Sequence, residues 1–191
     1  MVTSGRIQHA KEFDSKAEIE EFIRDLNIPA AFVVPGFYMN LFVPGNYLAR
    51  SSDDPDLLQL ELLVPTESSV IPLIDMNKDF GKFVVSILLD KDSFVGRRIF
   101  VAEGYYSLDG MAAAVDMSEP IHGYKCATRE MNDDEFLGQD PISGSKIQNE
   151  DLSANSNIVA EPLLSYAEFV RKSELFLQHT DETHANEESE I

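Results

Sequence analysis

The stretch 12–41, EFDSKAEIEEFIRDLNIPAAFVVPGFYMNL, constrains the fold of this 191-residue chain more than any other. Apolar residues recur in its first half at the i, i+3, i+4, i+7 spacing of one helix face: Ile19, Phe22, Ile23 and Leu26. Since charged residues fill the other faces, the pattern predicts an amphipathic helix over residues 16–26. Asn27 tolerates the left-handed backbone that ends many helices, and Pro29 prevents the helix from resuming.

The second half of the stretch predicts a buried strand followed by an aromatic loop. The continuous apolar run AAFVV, residues 30–34, is typical of a parallel strand that is covered on both faces. Pro35 and Gly36 end the strand, and Phe37 and Tyr38 form the loop. Because ligands of open α/β sheets bind just past the carboxyl ends of strands, the stretch resembles one half of a nucleotide-type site.

The rest of the chain continues this alternation of strands and helices. Residues 57–64, 71–75, 98–103 and 124–128 predict extended segments, whereas residues 107–115 and 163–177 predict helices. A further helix ends near residue 89 and begins after Asp75 or Asn77, whose side chains can cap it. We expect a main domain over residues 1–140, a flexible linker over 141–160, a C-terminal helix within 161–180 and an acidic disordered tail over 181–191.

Three blocks of sequence carry a family resemblance. EFDSKAEIEEF, NIPAA and PGFYMNL are similar to H-F-D-S/G-K-x-E-V-E-E-Y, G-I-P-x-T and P-G-F-F/Y-M-x-N-L, the last being one residue shorter here. Residues 71–75 with 79–84 match I-P-x-I-D-x-x-x-D-x-G-K, and GRRI (96–99) and YYS (105–107) resemble G-K-x-I and Y-Y-T/S. The stretch from about Glu12 to Leu137 thus resembles the NmrA-like family, atypical short-chain dehydrogenases that bind NADP and act as redox sensors, transcriptional co-regulators or reductases.

The resemblance implies an α/β, partial Rossmann-like fold: a doubly wound, mostly parallel sheet without its N-terminal strands, and a small C-terminal substrate-type region. Family members begin with G-x-x-G-x-x-G, which binds pyrophosphate on backbone N–H groups at a helix N-terminus. That motif does not occur in the 191 residues. A naturally shortened paralogue and a truncated gene model both fit this pattern.

The resemblance also implies a set of cofactor-binding residues. Lys16 matches the lysine of the Tyr-x-x-x-Lys pair, which binds the nicotinamide ribose, and Glu12 stands in place of the tyrosine. A glutamate beside a lysine is ionised and does not replace a phenolic acid, so an ordinary i, i+4 surface pair is the competing interpretation. Pro35, Gly36, Phe37 and Tyr38 match the loop that faces the nicotinamide or a substrate; packing of the aromatics under a loop is the alternative. We expect weak NADP binding at an incomplete site and assign no catalytic residue.

Charge and composition exclude several classes of function. The net charge of −19 argues against direct contact with nucleic-acid phosphates. The single Cys126 forms no internal disulfide, which favours a reducing compartment, here the cytoplasm or the nucleus. The four histidines, His9, His122, His179 and His184, have no metal-ligand spacing, so no metal site is predicted. Asp75 and Asp79 are interpreted as residues of a helix start.

Two functions follow from these observations. The first is a regulatory, redox-sensing protein that acts through protein–protein contact, with weak or no NADP binding and no catalysis. The second is an NAD(P)H-dependent oxidoreductase of the isoflavone-reductase-like type whose cofactor-binding half lies outside this sequence. In either case the strand over 30–34 is expected to have an open edge, which predicts self-association or a protein partner.

Overall fold

Helices and strands alternate along the chain, as the apolar patterns predict. The structure is a computed structural model that describes residues 11–54, 56–62, 70–118, 125–130, 152 and 155–176. The helices are α1 (Lys11–Asp25), α2 (Phe80–Leu89), α3 (Lys91–Phe94), α4 (Leu108–Asp116), α5 (Asn155–Ile158) and α6 (Tyr166–Lys172). The strands are β1 (Phe32–Pro35), β2 (Phe37–Tyr38), β3 (Leu48–Arg50), β4 (Leu57–Leu62), β5 (Val70–Ile74), β6 (Arg98–Val101), β7 (Gly104–Ser107) and β8 (Lys125–Glu130).

The helix–turn–strand unit at the start of the described chain has the predicted order, but β1 is only partly buried along its length and is not covered on both faces as predicted. α1 ends where Asn27 adopts a φ of 53°, the left-handed conformation expected of it. The N–H of Ile28 donates to the carbonyl of Ile23 (3.2 Å), which satisfies one of the last helical carbonyls. β1 then runs parallel to β6, with Phe32 opposite Arg98 and Pro35 opposite Val101. The prediction of neighbouring parallel strands within an α/β fold is confirmed.

The described strands form three small sheets, and the chain runs directly from each strand of the first sheet into a strand of the second. β1 and β6 form the first sheet, and β2, β5 and β7 form the second in that order. The chain passes directly from β1 into β2 and from β6 into β7, so both strands of the first sheet lead to the two sides of β5. β2 is parallel to β5 and β7 is antiparallel to it. The third sheet pairs β4 with antiparallel β3 and parallel β8.

Two apolar clusters form the core. The residues of the larger one come from the second and third sheets, the connection between β2 and β3, α4 and the C-terminal segment: Met39, Phe42, Val43, Leu48, Leu58, Leu60, Ile71, Leu73, Leu108, Met111, Val115, Tyr166, Phe169, Val170 and Phe176. The smaller one lies around the first sheet and α2: Ile74, Phe83, Ile87, Phe94, Ile99, Val101 and Val159. Removing such side chains from water is the main force that holds the elements together.

α1 contacts the first sheet through charged side chains rather than through its apolar stripe. The Arg24 guanidinium lies 4.4 Å from the ring centre of Phe32 in β1 and donates to the carbonyl of Gly96 (2.8 Å). Glu20 binds Arg98 of β6 at 2.8 Å. The helix therefore lies across both strands, as predicted. Its apolar side chains Ile19, Phe22 and Leu26 nevertheless remain 58%, 64% and 54% exposed.

The start of α2 and the segment after Gly36 differ from the sequence prediction. Neither Asp75 nor Asn77 caps α2: the Asp75 carboxylate accepts the N–H groups of Asn77 (2.8 Å) and Lys78 (3.2 Å) in a turn that precedes the helix. The segment Phe37–Tyr38 was expected to be a loop and is a short strand, because β5 offers it a ladder partner.

The C-terminal part is only partly described. Within the predicted helix over 163–177, Tyr166–Lys172 is helical, and residues 174–176 are helical again after a break at Ser173. Ser165 caps the first of these segments by accepting the N–H of Glu168. Within the predicted linker, Asn155–Ile158 forms a short helix and Val159 is buried. The remainder of that linker, apart from residues 152 and 160, and the whole acidic tail lie outside the described residues, so the division into domains stays a prediction.

Candidate functional site

The carboxyl ends of β1 and β6 meet at one point of the structure. The N–H of Gly36, the first residue after β1, donates to the carbonyl of Val101, the last residue of β6 (2.9 Å). This is the edge at which parallel α/β sheets bind ligands. Four of the five predicted site residues, Pro35 to Tyr38, lie here in sequence.

Gly36 is required by the close approach of two backbones. A Cβ atom added at this position would lie 2.5 Å from the carbonyl oxygen of Pro72 in β5 and 3.0 Å from its carbonyl carbon. Backbone atoms cannot give way as the end of a flexible side chain can. The glycine thus allows the chain to leave the first sheet and join the second without a clash.

The two aromatic residues of the site have different environments. Phe37 is half-buried, pairs with Leu73 of β5, and its ring centre lies 6.4 Å from that of Phe42 at an angle of 50°. This tilted packing matches the interpretation of Phe37 as a core residue. Tyr38 points outward and is 39% exposed. Of the two, Tyr38 offers the accessible ring to a ligand.

Lys16 lies on α1, a different element from the other four residues, and is exposed. Further along the same helix, Arg24 contacts Phe32 and Glu20 contacts Arg98, two residues that are paired at the amino ends of β1 and β6. Over this turn the helix therefore crosses from β1 towards β6.

An ion-pair network fixes α1 on the sheet and so sets the position of Lys16. The carboxylate of Glu20 binds Arg24 on its own helix and Arg98 of β6, each at 2.8 Å. Burial alone would raise the pKa of Glu20, but the hydrogen bonds and charges of Arg98 and Arg24 outweigh it and hold the pKa below its usual value. Glu12, which stands in the tyrosine position of the family motif, lies in the first turn of α1.

Sequence reasoning missed a second polar group, which we name the clasp: Asp79, Lys82, Glu103 and Tyr106. The Tyr106 hydroxyl donates to the carboxylate of Glu103 in a short hydrogen bond. Asp79 is fully buried, and its Oδ1 lies 2.8 Å from Lys82 Nζ. The sequence signal was present only in part: YYS was recognised as a block, and Asp79 was interpreted as a residue of the helix start.

Burial and like charge perturb the clasp. Burial raises the pKa of Glu103, the hydrogen bond from Tyr106 opposes that rise, and the carboxylates of Asp79 and Glu168 add to it. Burial and the same hydrogen bond raise the pKa of Tyr106 far above its ordinary value. The tyrosine therefore stays protonated over the whole physiological range.

Other groups that carry chemistry elsewhere are inert or scattered here. Burial, with a smaller contribution from Asp116, raises the pKa of the Cys126 thiol to about 12, so it is not a thiolate nucleophile at neutral pH. In the described part of the chain, His, Cys, Asp and Glu side chains form no group of three or more that would hold a metal ion. None of the helices in that part combines the length and the hydropathy that crossing a lipid bilayer requires.

Comparison with known proteins identifies the relatives of this fold. Residues 2–120, more than half of the chain, match the NmrA-like family. Among solved structures, NmrA, a negative transcriptional regulator, in complex with NAD has a TM-score of 0.61 at 16% identity; the match covers 87% of this chain and 58% of that chain. The same regulator with NADP gives 0.60 at 15% identity, over 86% and 58%. A nucleoside-diphosphate-sugar epimerase from Staphylococcus aureus gives 0.57 at 12% identity, over 82% and 57%. The chain thus spans less than two thirds of the length of these structures, and at such identities the likeness shows the fold alone.

Proposed function

This chain belongs to the NmrA-like family, and we propose that it is a regulatory protein of the redox-sensing type that acts through contact with another protein. In this proposal the 191-residue chain binds NADP weakly or not at all, catalyses no reaction, and works in the cytoplasm or the nucleus. NmrA itself, the relative with a similar fold, is a negative transcriptional regulator. The net charge of −19 supports a protein partner rather than nucleic acid as the direct contact.

The observation that carries the proposal is the exposed apolar stripe of α1. Ile19, Phe22 and Leu26 lie on one face of the helix, and Ile28 continues it with 51% of its surface exposed. Full burial of one such side chain contributes roughly 1.5–3 kcal/mol, so covering side chains that are about half exposed offers about 1–2 kcal/mol each. Large apolar residues grouped in this way mark interaction sites.

The edge of β1 beside this helix indicates whether a partner binds by strand pairing or by side-chain contact. Phe32 and Gly36 donate to the carbonyls of Arg97 and Val101, so alternate residues of β1 face β6, and Val33 and Pro35 face the other way. No strand in the described ranges pairs with that second edge. The sequence interpretation placed Pro35 beyond the strand, whereas the structure places it at the end of β1. Since proline has no N–H, side-chain contact with the stripe, rather than a long strand ladder, is the main mode that we propose.

Weak cofactor binding follows from the groups that the chain provides. Lys16, Pro35 and Tyr38 match only the nicotinamide side of the family's site. The G-x-x-G-x-x-G turn, which would hold the pyrophosphate on backbone N–H groups, is not among the 191 residues. Glu12 replaces the phenolic acid, so the proton donor of the family's reductases is also missing.

Light scattering and calorimetry test the two halves of the proposal. Without its partner, the purified chain should self-associate through the stripe, and Phe22→Ser should weaken this association at least about tenfold, or about 1.4 kcal/mol. Leu88→Ser on α2 is the control, because Leu88 is 68% exposed and lies outside the stripe. Equal effects of the two changes, or a wild-type chain that stays monomeric at high concentration, would refute the contact site. Titration with NADP should give heat only near millimolar cofactor, and micromolar binding would refute the weak site.

The second candidate function is an NAD(P)H-dependent oxidoreductase. It is favoured by the relatives that were solved with NAD and NADP. Translation of the genomic DNA upstream of Met1 tests it. An in-frame G-x-x-G-x-x-G after a predicted strand would favour the oxidoreductase, and stop codons in all frames without a nearby intron would exclude it.

A further inference from the structure

Residues 159–176, hereafter the strap, are held on the core by polar contacts at their beginning. The Nζ of Lys82 donates to the carbonyl of Pro162 (2.7 Å), and the N–H of Leu164 donates to Oδ2 of Asp79 (2.8 Å). Asp79 has no exposed surface, so Lys82 and the N–H of Leu164 are the groups that stabilise its buried carboxylate. The strap is therefore bound at its start by two members of the clasp.

Tyr166 attaches the middle of the strap to the clasp and to the segment after the candidate site. Its N–H donates to the Tyr106 hydroxyl (3.1 Å), which in turn donates to Glu103. Its own hydroxyl donates to the carbonyl of Phe42 (2.9 Å) at a fully buried position. The apolar side chains of the strap that complete the contact with the core are Phe169, Val170 and Phe176.

Within the clasp, docking of the strap disfavours the charged form of Glu103. Burial raises the pKa of Glu103, and the charges of Asp79 at the start of α2 and of Glu168 on the strap raise it further. Lys82 is paired with Asp79, and Lys172 is paired with Glu168 (3.0 Å). Because an uncharged Glu103 suits the docked strap better than a charged one, protonation and docking are linked.

The strap also supports the residues that follow Gly36. The ring of Phe42 lies 6.4 Å from that of Phe37, and Met39 between them is fully buried in the same cluster as Tyr166. The buried Tyr166 hydroxyl is the donor for the Phe42 carbonyl. If the strap leaves, that carbonyl loses its donor and the cluster loses one wall.

We propose that the strap is a proton-controlled element that docks more firmly when Glu103 is uncharged, and that its docking fixes the segment 37–42, whose first two residues, Phe37 and Tyr38, belong to the candidate site. The sign follows from linkage: the pKa of Glu103 is raised in the docked state, so docking is strongest in mildly acidic solution and weakens as the pH rises through that pKa. The segment 37–42 then becomes more mobile together with the strap.

Hydrogen exchange of the intact chain, corrected for the pH dependence of intrinsic rates, tests this proposal. In the wild type, strap amides should exchange several-fold more slowly in mildly acidic than in neutral buffer. Glu103→Gln should give the slow exchange in both buffers, since the amide side chain is uncharged. Glu161→Gln is the matched control, because Glu161 is an exposed carboxylate on the strap and should leave the pH dependence unchanged.

Release of the strap tests the coupling to the candidate site. Tyr106→Phe removes the acceptor of the Tyr166 N–H and should speed exchange in the strap and in residues 37–42. Phe176→Ala, which removes a buried anchor far along the strap, should do the same without touching Glu103. Faster exchange in the strap with unchanged residues 37–42 in both variants would overturn the coupling. A Glu103→Gln variant that keeps the wild-type pH dependence would overturn the proton control.

Discussion

At the residue scale, Gly36 is the position where the site tolerates least change. A methyl group there would meet the backbone of Pro72 at 2.5 Å, so Gly36→Ala should lower the free energy of unfolding by about 1–3 kcal/mol. Gly81→Ala is the control: nothing lies within 4 Å of its added Cβ, and alanine in α2 should stabilise by up to about 1 kcal/mol. Urea denaturation followed by circular dichroism measures both. Equal effects would mean that the β2–β5 contact is looser than described.

The carboxylate of Glu20 gives a second prediction at this scale. Its pKa is lowered in the folded state, so its contribution to stability is present above the unfolded value near 4.5 and is lost as the pH falls through the folded value. Because the pair with Arg98 is near the surface, Glu20→Gln should cost at most about 1 kcal/mol at neutral pH. The difference from wild type should vanish in acid. Glu18→Gln, an exposed change on the same helix, is the control and should leave the free energy of unfolding at neutral pH unchanged.

At the element scale, local patterns predicted where elements lie better than which way they face. The helix and its Asn27 stop, the strand around Val33 and the parallel pairing with β6 followed from apolar periodicity and turn chemistry. The exposed stripe of α1 did not, because the choice of face depends on Arg98 and Phe32, which lie elsewhere in the fold. Likewise β2 exists because β5 lies beside it, and no local pattern contains that information.

The orientation of α1 can be measured by comparing two apolar residues that are adjacent in sequence. Ile23 is half-buried, so Ile23→Ala should lower the unfolding free energy by about 1–2 kcal/mol. Phe22 is 64% exposed, and Phe22→Ala should change it by no more than about 0.5 kcal/mol, although more carbon atoms are removed. Thermal or urea unfolding at low protein concentration gives both values. The reverse order would mean that the apolar stripe faces the sheet.

At the scale of the whole molecule, the candidate site divides into a part that the sequence could predict and a part that it could not. Pro35 to Tyr38 are contiguous, so their motif and their place after a strand were readable from the sequence. The clasp joins Asp79 to Leu164, 85 residues apart, and Tyr106 to Tyr166, 60 residues apart. Residue types such as these are common on protein surfaces, and only the packing of the strap makes them a group.

The charge of the whole molecule decides how the exposed stripe associates. Two copies that each carry a net charge of −19 repel one another, and this repulsion opposes the apolar contact through α1. Raising the salt concentration shortens the Debye length from about 10 Å at 0.1 M to about 3 Å at 1 M, so self-association should strengthen with salt. Light scattering across a salt series measures it, with Phe22→Ser as the variant that should respond least. Weakening with salt would instead mean that attraction between charges holds the copies together, and the stripe would not be the contact.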